Sequence, residues 1–371
     1  MPVTVKAIVD ILEEHFPTFL AAEWDNPGLQ VGSRHQWVEN ILVVLDIDDA
    51  VIDYARRNQC GLIITHHPFF FSPLRSIDYD QSQGRLLKKI IDAGIAVYSA
   101  HTNLDAGARG LNQALAERLG LSDIRPLDQW YREKLFKLVV YTPSSHVEEV
   151  RAAILSAGAG HIGRYRDCSF MSKGTGSFRP LPGSQPFIGQ EGRLEEVEEY
   201  RLETIVPQSR LERVMERMRE THPYEEIAYD LYPLKLDGET YSMGRTGKLA
   251  RPCRLEEYCL QVKQALGLKY LRVAGDREQV IHKVAVVSGA GADYASLALL
   301  NGCDALVTGD VKYHQAKDAR DAGLAIIDAG HEGTERIMAD LLSQLLTEEA
   351  NKRGLDVKIL ALENQEVLKT C

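Results

Sequence analysis

Of the eleven histidines in this 371-residue chain, a few stand beside groups with which imidazole does chemistry. His66 and His67 are adjacent in Thr65-His66-His67-Pro68, directly after the apolar run Gly61-Leu-Ile-Ile64. Pro68 turns the chain away, and at a strand tip the strict alternation of side chains relaxes, so two imidazoles can reach nearby ions. His101-Thr-Asn-Leu-Asp105 follows another apolar run and supplies an imidazole and a carboxylate. His331 and Glu335 are four residues apart at the expected start of a helix, which puts both on one face. Together these residues suit one or two divalent ions such as Zn, Fe, Mn or Co. They are too rich in imidazole for a Ca or Mg cage. Any one of them could be a plain hydrogen-bonding loop residue. The argument for a metal is that all three clusters fall at strand ends, where α/β proteins place their functional crevice. Asp310 and His314 follow a further strand and could support the ligands or touch a substrate; a helix N-cap and a surface histidine are the plainer roles.

The elements that must position these residues alternate. In the first third, Ile41–Leu45, Gly61–Ile64 and Ile95–Tyr98 read as buried strands, separated by helical patterns over 50–58, 83–93 and 109–119. In the last third, Val284–Val287, Ala305–Val307, Leu324–Ile327 and Val357–Leu360 read as strands, with helices over 293–300 and about 332–351. Strands that are apolar throughout and separated by helices predict parallel sheets covered on both faces. The two thirds read as related α/β halves of one core. Between them, 137–141, 198–205 and 227–231 read as strands, and 146–158 and 208–221 as helices. Gly174–Gly183 reads as a flexible loop, since it lacks the ending of a phosphate-binding loop. This order predicts a ferredoxin-like α+β domain inserted into the core. The expected boundaries are 1–130, 131–237 and 238–371.

Lys and Arg number 43 against 53 Asp and Glu, a net charge of −10, which argues against non-specific binding of nucleic acid or anionic membranes. No apolar run approaches the roughly 18 residues of a membrane span, and the stretch from Met1-Pro2 lacks the apolar segment of a signal peptide. The cysteines at 60, 168, 253, 259, 303 and 371 form no CxxC pair, which fits reduced thiols and a cytoplasmic protein. Gly289-Ala-Gly291 follows a strand without completing a dinucleotide fingerprint, and no serine-hydrolase elbow is present. The acidic run Glu191–Glu199 reads as a solvated face. Trp24 could line a pocket or staple the first loop.

The strings Trp24-Asp-Asn-Pro-Gly-Leu-Gln-Val-Gly32, Thr65-His-His-Pro68, His101-Thr-Asn-Leu-Asp105, Gly244-Arg-Thr-Gly247, Thr308-Gly-Asp310 and His331-Glu-Gly-Thr-Glu335 resemble the NGG-interacting-factor-three-like family over nearly the whole chain. Its bacterial members are labelled GTP cyclohydrolase 1 type 2 homologues. The middle segment, with Gly174-Thr-Gly-Ser-Phe178 and His222-Pro-Tyr-Glu-Glu226, looks like the PII-like, CutA-like insert of the longer members. The resemblance implies a dinuclear site with His66, His67, Asp105, His331 and Glu335 as ligands. It implies two divalent ions per chain, Zn or Fe first, then Mn or Co. His101 matches a histidine near that site and is not carried over as a ligand. The resemblance also implies a homo-oligomer, a hexamer built from core dimers and insert trimers.

Two functions follow as expectations. The first is a metal-dependent hydrolase acting on a nucleotide or phosphoester, with His101 or His314 moving a proton. The family label would make the attacked atom C8 of a purine nucleotide. The second is a metal- or small-molecule-binding regulator without turnover.

Overall fold

The computed structural model describes residues 3–362 and Val367; Met1, Pro2 and Cys371 lie outside the described residues. The chain is a mixed α/β protein that divides into two compact units, Met1–Tyr131 with Tyr241–Cys371, and Arg132–Thr240.

The first unit is built on two large sheets. One has five strands in the order Lys358–Ala361, Asn40–Val44, Cys60–Thr65, Ala96–Ser99, Gly28–Val31; the first four are parallel and the last is antiparallel. The other has six, in the order Arg272–Ala274, Ala325–Asp328, Ala305–Thr308, Val280–Val286, Arg245–Arg254, Leu121–Pro126. Ala325–Asp328, Ala305–Thr308 and Val280–Val286 run parallel, and the flanking strands antiparallel. The buried runs seen in the sequence are thus the parallel centres of two mixed sheets. Their apolar character follows from burial on both faces. Ile41, Val43, Leu62 and Ile64 join Val284, Val286, Val307 and Ile327 in one core cluster, with Ile8, Leu115, Tyr258 and Leu342 from helices. On the opposite faces, Leu42, Val44 and Ile63 pack with Ile52 and Ile90, and Ala285, Leu306 and Ile326 pack with Ala298 and Ala319.

Two strands depart from the expected grouping. Lys358–Ala361, the last strand of the last third, pairs with Asn40–Val44 of the first. Leu121–Pro126 crosses the other way and pairs with Arg245–Arg254. Hydrophobic pattern identifies a strand but carries no information about its neighbour. The long helix expected over about 332–351 is two helices, His331–Glu335 and Met338–Arg353. The Thr334 hydroxyl donates to the carbonyls of Gly330 and His331 at 3.2 and 2.8 Å, competing with the helical ladder at that turn.

The second unit has the order β-α-β-β-α-β, with strands Leu135–Pro143, Ser169–Phe178, Glu195–Pro207 and Tyr229–Pro233 and helices Val147–Ser156 and Gln208–Thr221. All neighbours are antiparallel, and Ser169–Phe178 and Tyr229–Pro233 are the edges. Gly174–Phe178, expected in a flexible loop, is strand, paired through Phe178 with Glu195. A Cβ on Gly176 would lie 2.1 Å from a carboxylate oxygen of Glu199, so glycine there makes room for that side chain. Glu199 itself is buried and accepts from the Tyr224 hydroxyl at 2.9 Å, an exception within an otherwise mainly exposed acidic run.

No helix among the described residues is long and apolar enough to cross a membrane. Cys60, Cys168, Cys253, Cys259 and Cys303 are free thiols.

Candidate metal centre

The strand Cys60–Thr65 delivers His66 and His67, whose N–H groups both donate to the Leu45 carbonyl at the tip of the neighbouring strand, at 3.3 and 3.2 Å. The next strand, Ala96–Ser99, leads to His101 and the short helix Thr102–Ala106, which carries Asp105. In the other sheet, Ala325–Asp328 leads to His331 and Glu335, and Ala305–Thr308 leads to Asp310. Carboxyl ends of strands from both sheets therefore converge on one space.

The ligand-type atoms form two groups, His66 with His67 and His101, and His67 with His331 and Glu335; within each group they lie within 4.8 Å of one another. His67 belongs to both. Glu335 Oε2 is 3.0 Å from His67 Nε2 and 3.1 Å from His331 Nε2, while its Oε1 is 3.7 Å from His66 Nε2. Asp105 Oδ1 is 3.8 Å from His66 Nε2 and accepts from the Ser288 hydroxyl at 2.9 Å.

Each ring is held by its other nitrogen. Nδ1 of His66 donates to the Ala100 carbonyl at 2.8 Å, that of His67 to Asp46 at 2.8 Å, that of His101 to Asp25 at 2.7 Å, and that of His331 to Asp310 at 2.8 Å. This fixes each Nδ1 as a donor and aims four Nε2 atoms inward, as in histidines that ligate metals. The donor set passes a stringent test. His66 is fully buried, and its Nε2 has no hydrogen-bond partner among the described residues. His67 Nε2 and His331 Nε2 face each other at 3.3 Å, where two neutral rings so held would oppose lone pair to lone pair. A buried acceptor costs free energy unless something positive satisfies it.

The electrostatics agree. Burial opposes charge on His67, but its hydrogen bonds to Asp46 and Glu335 outweigh that and push its pKa up to about 10. The Glu335 hydrogen bond pushes His331 up to about 9, against burial. Burial also opposes charge on Glu335, yet the surrounding rings, His66 foremost, hold it well below the usual carboxylate range. Burial drives Asp105 upward. The cluster gathers positive charge; without a cation, protons supply it.

The structure brings His66, His67, His101, Asp105, His331 and Glu335 together. His314 stands apart: it is exposed near the start of the helix Tyr313–Asp321, its ring against Tyr313, and belongs to neither group. Asp310 is not a helix N-cap, a position taken by Lys312, but the partner of His331. Asp25 and Asp46 carry only weak sequence signals. The signal for Asp46 is its place at a strand tip, and for Asp25 its place in the Trp24–Gly32 string. Gly289, part of an incomplete dinucleotide fingerprint in the sequence, has a structural role here. It has φ +59°, and a Cβ there would lie 2.3 Å from Glu335 Oε1, so this turn must be glycine for Glu335 to reach its position.

Two of the recesses that adjoin the centre differ in their lining. One, of about 480 Å³, is lined by Trp24, Asp25, Asn26, Phe70 and Phe71. The other, of about 540 Å³, is lined by His67, His331, Asp310, Lys269, Tyr270 and Arg272.

Among known proteins, the profile of Duf34/NIF3 (NGG1p interacting factor 3) matches residues 3–366. A Halalkalibacterium halodurans protein named GTP cyclohydrolase 1 type 2 homolog is 43% identical over 356 residues, 96% of this chain and 95% of that protein. A Bacillus subtilis protein of the same name is 43% identical over 358 residues, 96% of each. A crystal structure described as a Bacillus cereus protein related to NIF3 has a TM-score of 0.91 and 40% identity, covering 100% of this chain and 99% of that one.

Proposed function

This chain belongs to the Duf34/NIF3 (NGG1p interacting factor 3) family, and from that premise we propose that it holds two divalent ions and acts as a metal-dependent hydrolase. The observation that carries the reading is the fully buried His66 Nε2, which has no hydrogen-bond partner among the described residues and lies 3.8 and 3.7 Å from the carboxylates of Asp105 and Glu335. His66, His67, Asp105, His331 and Glu335 are the proposed ligands. His101 shares a group with His66 and His67, which favours a binding role over the proton-carrying role expected for it. His314, exposed and in neither ligand group, is left out of the proposed site.

Bound divalent ions of this kind supply Lewis acidity and a water activated near neutral pH. The chain's own residues do the rest. Asp25, Asp46, Asp310 and the Ala100 carbonyl fix ring orientation and tautomer. Ser288 orients Asp105. Buried Glu335 bridges His67 and His331. The nitrogen-rich donor set supports Zn or Fe ahead of Mn or Co. A nucleotide or phosphoester fits the chemistry of a two-ion site, and the name of the relatives, GTP cyclohydrolase 1 type 2 homolog, supports a nucleotide.

The β-α-β-β-α-β order of Arg132–Thr240 supports a ferredoxin-like, PII-like insert between two related core halves, with boundaries near 131 and 237. Its open edge strands, Ser169–Phe178 and Tyr229–Pro233, support self-association through the insert, and so a hexamer when combined with core dimers. Light scattering on the full-length protein tests this; a dimer across micromolar concentrations refutes it.

The function itself is tested by elemental analysis of anaerobically purified protein, then turnover of the metal-loaded protein on a nucleotide and phosphoester panel. The reading expects about two transition-metal ions per chain, fewer in Asp105→Ala, and hydrolysis abolished in His66→Ala. Tight ion binding with no turnover of any compound would favour the regulator instead.

A further inference from the structure

We infer that the recess walled by Trp24 and Phe71 seats a planar unsaturated ring carried by the molecule on which the metal centre acts, an inference that rests on the metal-centre reading. Trp24 and Phe71 are 61% and 54% exposed, a large aromatic area left facing water. They come from segments nearly fifty residues apart, yet their rings are stacked, with centroids 5.7 Å apart and planes at 27°. Both rings contact His101, each at 6.0 Å and nearly perpendicular, so one imidazole joins the recess to the ligand group of His66 and His67.

Much of the polar lining of the recess is already engaged. The Asp25 carboxylate accepts from His101 Nδ1 and from the Thr102 N–H and hydroxyl. Asn26 Nδ2 donates to the Phe70 carbonyl at 2.7 Å, and the Phe70 N–H donates to Gln30 Oε1 at 2.8 Å, which ties the two walls together and sets their separation. The largest surface left for recognition is the faces of the exposed aromatic rings. Such faces select flat π systems by stacking and tolerate variation in ring substituents. The recess on the other side of the centre differs in kind, presenting the charged groups of Lys269, Arg272 and Asp310. Trp24, open between a pocket and a staple on sequence grounds, is a pocket residue.

Equilibrium dialysis of the full-length protein tests the assignment, with adenosine and nicotinamide riboside as the ringed probes, which carry a planar unsaturated ring, and ribose 5-phosphate as the one without such a ring. Each is measured on wild type, Trp24→Leu, Phe71→Leu and the control Trp37→Leu, with metal content determined on the same samples. Ringed probes should bind at least about tenfold more tightly than ribose 5-phosphate. Trp24→Leu and Phe71→Leu should each weaken them by about tenfold or more, with Trp37→Leu unchanged. Equal binding by wild type and the two recess variants, or no preference for rings, overturns the assignment even when the ions are present. Self-association lost in Trp24→Leu without ring binding assigns the face to a second copy and likewise overturns it. Ring binding that depends on Trp24 and Phe71 in a protein that holds no ions keeps the recess and sinks the metal reading instead.

Discussion

His66 donates from Nδ1 to the carbonyl of Ala100 at 2.8 Å, across two parallel strands joined in the same sheet. Because a carbonyl can only accept, this contact fixes Nδ1 as a donor and leaves the buried Nε2, facing Asp105 and Glu335, as the atom that takes up a cation or, without one, a second proton. The same division of labour recurs at His67, His101 and His331, with a carboxylate in place of the carbonyl.

The supporting carboxylates should therefore govern affinity without being ligands. Asp46→Asn or Asp310→Asn should weaken metal binding by about 10–100-fold while leaving the saturating stoichiometry intact. Chelator-competition titrations read both quantities. Unchanged affinity in both variants would contradict the role given to these residues.

Gly289 should resist substitution more than an unencumbered glycine of similar backbone. Gly354 also has positive φ, +64°, but nothing lies within 4 Å of a Cβ built there. Gly354→Ala should cost about 1–2 kcal/mol and keep the ions. Gly289→Ala pays the same backbone strain and must also displace Glu335, so metal occupancy should fall with stability. Urea unfolding and elemental analysis of the two variants make the comparison.

Removing the ions should make stability sensitive to alkali. In the metal-free protein, His67 and His331 are raised from an ordinary value near 6.5 to about 10 and about 9. Groups raised on folding stabilise fully below the unfolded pKa, and the gain is lost as pH rises through the folded values. Thermal stability of metal-free protein should thus decline between about pH 7 and 10 more than that of loaded protein. Ion uptake at pH 7 should release protons, as calorimetry in buffers of different ionisation enthalpy would detect. Uptake without proton release would count against the assignment.

An opposite dependence is expected in the second unit. Burial lowers the pKa of His222, whose Nε2 donates to the Tyr141 carbonyl at 3.0 Å while Nδ1 accepts from the Tyr224 N–H at 3.2 Å. A histidine depressed on folding contributes stability above its unfolded pKa, near 6.5, and that is lost as pH falls through the folded value. Between pH 7.5 and 5 the wild type should lose more stability than His222→Gln, which keeps a donor for Tyr141. Parallel loss in the two proteins would exclude His222 as the source.

Hydrophobic pattern and stop residues make most of the buried strands, the helices between them and the residues at their tips legible along the chain. An apolar run such as Cys60–Thr65 carries its own burial pattern, and His66, His67, Asp105, His331 and Glu335 stand at chain positions where a tip or a helix start is locally signalled. Local signals end there. That Lys358–Ala361 joins the first sheet and Leu121–Pro126 the second is decided by packing between segments hundreds of residues apart in one case and more than a hundred in the other. Gly174–Phe178 is strand because Glu195–Val197 and its neighbours offer a complete partner, which glycine content alone argues against. The roles of Asp25, Asp46, Asp310 and Gly289 depend on distance to a ring or carboxylate brought from another strand, as does the pairing of Trp24 with Phe71 over His101. Residue type says what a side chain can bind; only the tertiary structure puts a partner within hydrogen-bond reach, because that interaction vanishes over an ångström or so.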